Sequence, residues 1–229
     1  MMKKVVITLG VIVALLLLGL LIIIYGYLGA PFDPEQSEYF YEDPPENIQR
    51  TLDYPDAGQR TTFVEKSYDT GGDYTLVEVE LEPGGGNALH YHEVFTETFI
   101  PVKGTLGLKR DGEEIHAEPG DTVTVDINQE HRFFNPSDTD SIKFQVLLEP
   151  GAPGFEKALY IMYGLARDGL TDEDGLPENI FHTATFVVYG DTRTRSIMSP
   201  LMWRIAGRAQ REGIEEELLE NYYFGLTEE

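Results

Sequence analysis

The sequence predicts an all-β, double-sheet jelly-roll barrel, preceded by a transmembrane helix and followed by an α-helical extension. Three observations predict it. Between Thr61 and Glu149, short segments alternate apolar and polar residues at turn-punctuated spacing. Val5 to Leu28 contains no charged residue. After Pro150-Gly151-Ala152-Pro153-Gly154 the apolar period becomes helical. The implied organisation is a short cytoplasmic N-terminus (1–4), a membrane helix (5–28), an acidic proline-bearing tether (31–59), the β domain (60–150) and the helical extension (151–229).

The 24 residues Val5–Leu28 would extend about 36 Å as a helix, enough for a hydrocarbon core of roughly 30 Å. That length favours a retained anchor over a cleaved signal peptide, whose apolar region is shorter. Tyr25 and Tyr27 stand near its far end, where aromatic rings favour the interface. Lys3 and Lys4 flank the near side, and Asp33, Glu35, Glu38, Glu42 and Asp43 follow the far side. The positive-inside rule therefore places the N-terminus in the cytoplasm and the β domain outside, as a single-pass protein of the cell membrane. Pro31, Pro34, Pro44, Pro45 and Pro55 break helices, so the tether is expected to be extended, with Tyr39, Phe40 and Tyr41 docking on the domain.

Within the β domain, Thr75, Val77, Val79 and Leu81 alternate with Leu76, Glu78, Glu80 and Glu82, as in a half-buried strand. Asp111-Gly112 separates Thr105–Arg110 from Glu113–Ala117 and predicts a type I′ hairpin. Thr122–Ile127, His131–Phe134 and Ser141–Glu149 complete the strand series. In the extension, Phe155, Ala158, Leu159, Met162, Leu165 and Ala166 form one helical stripe. Asn179–Tyr189 reads as a second helix. Ser199-Pro200 reads as N-cap and first residue of a third, running to about Arg211, and Ile214–Phe224 as a short terminal one. Arg204, Arg208 and Arg211 share a face; pairing with the protein's own carboxylates is the expected role, contact with anionic lipid headgroups the alternative.

Charge narrows the function classes. With 40 acids against 17 bases and a net charge of -23, the chain would repel phosphate backbones, and no nucleic-acid partner is expected. A dense carboxylate surface poor in lysine suits a protein working in high salt, a halophilic adaptation. Without cysteine there is neither disulfide nor thiolate ligand.

The chemistry gathers between Gly84 and Asn135, which holds three of the five histidines. His90 and His92 are two apart, so on an extended segment both imidazoles point to one face. Glu97 is near enough to turn toward that face, and His131 can arrive from a neighbouring strand. Three imidazoles and one carboxylate suit a divalent transition metal. The spacing Gly84, five residues, His90-x-His92, four residues, Glu97, six residues, Gly104 resembles the first motif of the cupins at every fixed position. Gly120, His131 and Asn135 resemble the second. Asp126 and Asn128 stand where that motif usually has Pro and Gly, so the turn before His131 is expected to be shaped differently.

The resemblance, to single-domain cupins with a quercetin dioxygenase-type metal motif, implies a jelly roll. It also implies one divalent ion (Fe, Mn, Ni, Cu or Zn) held by His90, His92, Glu97 and His131. It implies a small-molecule substrate, and Glu97 as a ligand or, when displaced, a catalytic base. A dioxygenase-type oxidoreductase is the expected function; the alternatives are a non-catalytic ligand-binding or sensor module and a metal-dependent isomerase. Cupins commonly dimerise through outer sheet faces, so a homodimer is a possible assembly. Around the site, Tyr91 and Glu93 should face away from the histidines, and Lys143 and Gln145 share a parity that can reach the cavity. Of Phe95, Phe99, Phe133 and Phe134, most are expected in the core and one or two on an apolar pocket. His116 and His182 have no motif context and read as structural.

Overall fold

The computed structural model describes the backbone of residues 2–173 and 175–226; the side chains of residues 2–9, Ile12 and Asp56 lie outside the description. The chain runs through helix α1 (Met2–Leu28) and nine strands: β1 (Thr51–Tyr54), β2 (Gln59–Glu65), β3 (Thr75–Leu81), β4 (Thr96–Lys103), β5 (Leu106–Arg110), β6 (Glu113–Ala117), β7 (Val123–Val125), β8 (His131–Phe134) and β9 (Ile142–Glu149). Helices α2 (Pro153–Arg167), α3 (Ile180–Tyr189), α4 (Ser199–Arg211) and α5 (Ile214–Leu219) follow, and a π-helical turn, Glu220–Phe224, ends the described chain.

The strands form two sheets, ordered β1-β2-β3-β9-β4-β7 and β6-β5-β8, with every ladder antiparallel. Alternation decides the inner face. Thr75, Val77, Val79 and Leu81 of β3 are buried, and opposite them Ile142, Phe144, Val146 and Leu148 of β9 are buried too. That parity puts Lys143 and Gln145 on the outer face, contrary to the expectation that they reach the cavity. Lys143 pairs there with Glu78 at 2.9 Å and Glu80 at 2.7 Å, and Gln145 donates to Glu78. The β5–β6 hairpin turns through Asp111 and Gly112 at φ 46° and 86°, the conformation that type I′ requires.

The segment 31–59 differs from an extended spacer. Its end contributes β1 to the larger sheet, and Phe32, Ile48 and Leu52 are buried. Phe40 packs on Tyr189, ring centres 4.9 Å apart, and Lys157 donates to the carbonyls of Phe40 and Glu42 at 2.9 and 2.7 Å. Burying these apolar side chains outweighs the extension that prolines and like charges favour.

The helical extension is tied to the barrel by Glu156 of α2, which accepts from the Ser67 amide at 2.6 Å and the Thr75 hydroxyl at 2.7 Å. Asn179 caps α3 through the Phe181 amide at 2.9 Å. In α4, Ser199 is the first helical residue and Met198 takes the cap position, one residue earlier than the Ser-Pro signature implies.

The arginine stripe of α4 does something neither sequence reading anticipated. Arg204 donates to the Gly29 carbonyl, Arg208 to Tyr27 at 2.5 Å, and Arg211 to Leu28 and to Ala30, the last at 3.0 Å. These are carbonyls of the last turn and exit of α1, which lack partners within the helix and carry its partial negative charge. Among the described residues, only Arg208 of the three arginines also takes a carboxylate, Glu212 at 2.5 Å. Gly207 permits the approach, since a Cβ there would lie 2.4 Å from the Ala30 carbonyl oxygen. Among the described residues no helix is long and apolar enough to cross a membrane. The expected cytoplasmic segment 1–4 and part of the expected span 5–28 rest on side chains outside the description.

Candidate metal centre

The barrel gathers the four residues from three places. Glu97 is the second residue of β4 and shares the inward parity of Phe99. His131 opens β8. His90 lies opposite it, and the two exchange backbone hydrogen bonds of 3.0 and 2.7 Å. His92, two residues on, turns to the same side as His90. All four side chains are buried, and one ligand atom from each lies within 4.8 Å of the others. His90 Nε2 is 3.1 Å from His92 Nε2, His131 Nε2 is 2.7 Å from Glu97 Oε2, and His92 Nε2 is 3.7 Å from the same oxygen.

The opposite ring nitrogens face carbonyls. His90 Nδ1 meets Ala88 O at 2.7 Å, His92 Nδ1 meets Asp191 O at 3.1 Å, and His131 Nδ1 meets Gln129 O at 3.0 Å. A carbonyl only accepts, so each Nδ1 carries a proton; His90 and His92 present Nε2 lone pairs inward, while His131 Nε2 donates to the Glu97 carboxylate. For His90 and His92 this leaves two lone pairs facing each other at 3.1 Å, an arrangement that a shared cation relieves. An imidazole set with tautomers fixed from outside, joined by one carboxylate, fits a divalent transition ion.

The electrostatics agree. Burial lowers the His90 imidazole to about 3, helped by His92 and His131 nearby, and burial lowers His92 as well. Burial alone would raise Glu97, but attraction to His92 and the hydrogen bond from His131 hold it at about 2. Burial opposes charge on His131 also, yet its hydrogen bond and attraction to Glu97 raise it. The carboxylate is thus an anion and His90 and His92 are neutral near pH 7, as ligation needs, while His131 holds an Nε2 proton against Glu97 that a bound cation would replace.

Sequence reading missed Asp191. Besides its carbonyl on His92, its carboxylate accepts from the amides of Glu93 at 2.5 Å and Val94 at 3.0 Å, and pairs with Arg193 at 2.8 Å. Arg193 in turn pairs with Glu93 at 3.2 Å and exchanges 2.9 Å backbone hydrogen bonds with Tyr91. The extension therefore fastens the histidine loop from about a hundred residues away. The only local trace in the sequence is an aspartate after a helix-ending glycine, and Asp191 takes a left-handed φ of 45°.

Other expected residues are placed as follows. Tyr91 and Glu93 face away from the cluster, toward Arg195 and Arg193. His116 is exposed beside Glu114, and His182 lies on α3; neither joins the cluster. Phe99 and Phe133 pack against Phe144 in the core, while Phe95 stacks 4.3 Å from the His92 ring and lines an apolar cavity of about 350 Å³ with Phe155. Asn135 is buried and works structurally, donating to Leu81 O and Asp140 O at 3.1 and 2.9 Å. Asn128 takes φ 65°, a conformation glycine adopts freely and asparagine tolerates. The exchange of Gly for Asn therefore does not by itself demand a different turn.

The model of the cupin domain family matches residues 77–148, which span β3 to β9 and hold all four residues of the cluster. Residues 77–148 of this chain are a cupin domain. Quercetin 2,3-dioxygenase of Bacillus subtilis (strain 168) is 35% identical to this cupin over 83 residues, 36% of this chain and 24% of that protein. The match thus spans about a quarter of that relative. Among solved structures, KdgF from Halomonas sp. is 19% identical, covering 48% of this chain and 93% of its own, with a TM-score of 0.39. A sugar phosphate isomerase from a cupin superfamily from Silicibacter pomeroyi is 23% identical, with 48% and 77% covered and a TM-score of 0.38.

Asp191→Ala removes three of the contacts that hold the His92 loop while leaving the four cluster residues in place. It should weaken Co²⁺ binding, followed by visible absorption of the full-length protein, about tenfold to a hundredfold, with thermal unfolding still cooperative. Unchanged affinity would show that the loop holds its geometry without the extension.

Proposed function

We propose that this cupin is a membrane-anchored, extracytoplasmic metalloprotein that oxidises a small organic substrate in a dioxygenase-type reaction. The observation that carries the metal is the buried convergence of three Nε2 atoms on the Glu97 carboxylate, with each Nδ1 held by a carbonyl. A redox-active ion at this position would supply Lewis-acid and redox chemistry. His90, His92 and His131 would hold it, with orientations preset by Ala88, Asp191 and Gln129. Glu97 would supply the one negative charge among the ligands, and its carboxylate is the base at hand to take a substrate proton. Phe95 and Phe155 wall the His92 side and keep water from it, which suits an aromatic or enolic substrate. The similarity to quercetin 2,3-dioxygenase supports this chemistry over an isomerase or a ligand-binding module.

The anchor is supported by the uncharged run Val5–Leu28, by exposed apolar side chains such as Leu16, Ile22 and Ile23, and by the arginines that fix the end of α1 to α4. Arg204 and Arg208 lie 4.6 and 3.7 Å from the ring centres of Tyr25 and Tyr27, a basic and aromatic band suited to a headgroup layer. On this reading the cupin domain is held against the bilayer surface rather than off it.

The chemistry is tested by loading the full-length protein separately with Fe, Mn, Ni, Cu or Zn and following oxygen uptake with aromatic and enolic substrates. Uptake with at least one redox-active ion, falling more than about a hundredfold in Glu97→Gln, is expected. Tight substrate retention without oxygen uptake under any metal would overturn the oxygenase in favour of a binding module, and substrate isomerisation with Zn would favour the isomerase. The anchor is tested in cells. The full chain should stay with membranes through an alkaline carbonate wash and be digested by protease added outside spheroplasts. Release by carbonate, or protection from the protease, would contradict the proposed placement.

A further inference from the structure

A second cavity, of about 530 Å³, opens beside the segment that fastens the histidine loop. Arg193, Arg195 and Arg204 line it, with Tyr91 and Trp203 as aromatic walls. The chain has 40 acids and only 17 bases, yet among the described residues no aspartate or glutamate lines this cavity. A concentration of guanidinium groups on a surface of the opposite sign marks a place where an anion is accommodated against the net field.

The three arginines are not equivalent. Arg193 is matched by Asp191 and Glu93 and lies 3.9 Å from the centre of the Trp203 ring, so it stiffens the wall. Arg195 lies 4.3 Å over the Tyr91 ring and donates to the Asn128 carbonyl at 2.9 Å; Arg204 lies 4.6 Å over Tyr25 and donates to the Gly29 carbonyl. Neither has a carboxylate partner among the described ion pairs. A guanidinium carries five N–H groups, so one carbonyl each leaves most of the fork free. Stacking on an aromatic face fixes the plane of that fork at little further entropic cost.

We propose that this cavity binds a phosphoryl group, held between Arg195 and Arg204 with the Ser199 hydroxyl adding a donor. A tetrahedral oxyanion offers enough acceptors to engage both forks, whereas a carboxylate satisfies one. This inference stands independently of the metal. The cavity also lies at the foot of α1, because Pro31 lines it and Arg204 holds the Gly29 carbonyl. The phosphoryl group therefore has two possible sources, a phospholipid headgroup and a soluble phosphoester, which share this chemistry.

Trp203, the single tryptophan of the chain, lies in the wall and reports occupancy directly. Full-length protein in maltoside micelles, which carry no phosphate, is titrated with inorganic phosphate at constant ionic strength, and also reconstituted into vesicles of a phosphate-free galactolipid with and without phosphatidylglycerol. A saturable change in Trp203 emission is expected with phosphate. Arg195→Gln should weaken it at least about tenfold, Arg195→Lys less, because lysine keeps the charge but loses the fork. Arg208→Gln, on the helix of Arg204 but outside the cavity, should leave it unchanged. If the lipid is the source, phosphatidylglycerol shifts the emission and blocks the phosphate titration; if a soluble ester is, phosphate titrates alike in both vesicles. No saturable response to phosphate together with identical emission in the two vesicles would overturn the proposal. So would a phosphate response that Arg195→Gln leaves intact in a variant that unfolds like the wild type.

Discussion

Three hydrogen bonds between imidazole Nδ1 atoms and backbone carbonyls determine what this barrel can do. Each carbonyl keeps a proton on Nδ1, and the fold then aims three Nε2 atoms at a volume only a few ångströms across. The carbonyls of Ala88 and Gln129 belong to residues two before the histidines they hold, so those Nδ1 protons follow from local backbone shape. That of Asp191 comes from the far end of the chain. The metal-binding character of the barrel consequently depends on the helices packed against it.

This dependence gives the helical extension a purpose beyond covering apolar surface. Glu156 ties α2 to the start of β3, Asp191 and Arg193 tie the end of α3 to the histidine loop, and the arginines of α4 hold the last carbonyls of α1. The segment between α1 and β1 is drawn into the same assembly by Phe32, Phe40 and Lys157. Displacing α1 would be felt at α4, and displacing the α3–α4 connection would be felt at His92. Through α4 and the α3–α4 connection, α1 is coupled to the candidate centre.

What the sequence made legible follows from the range of the interactions. Alternation in β3, the Asp111-Gly112 turn and the His90-x-His92 spacing are local signals with one structural solution, and each is realised as expected. The convergence of His131 and Glu97 needed a strand order that periodicity does not encode; only the spacing of the glycines and histidines as a set conveyed it. Lys143 and Gln145 were legible but misread, since the apolar parity of Ile142, Phe144, Val146 and Leu148 already assigns them to the outer face. The arginine stripe and Asp191 were not legible. Their partners are main-chain carbonyls and amides remote in sequence, and a backbone group has no residue type by which to recognise it. In the segment 31–59 the docking of Phe40 was legible from its aromatic cluster, but strand β1 and the burial of Phe32, Ile48 and Leu52 were not, because prolines and like charges speak for extension and the receiving surface is built far along the chain.

The account stands on the four converging ligand atoms, and the most direct measurement is the metal content of the full-length protein by mass spectrometry. The wild type is compared with a His90→Ala/His131→Ala variant, each before and after reconstitution with divalent transition ions. The account predicts close to one ion per chain in the wild type and essentially none in the variant, with both proteins folded. An absence of bound metal in the reconstituted wild type, or equal loading of the variant, would contradict it.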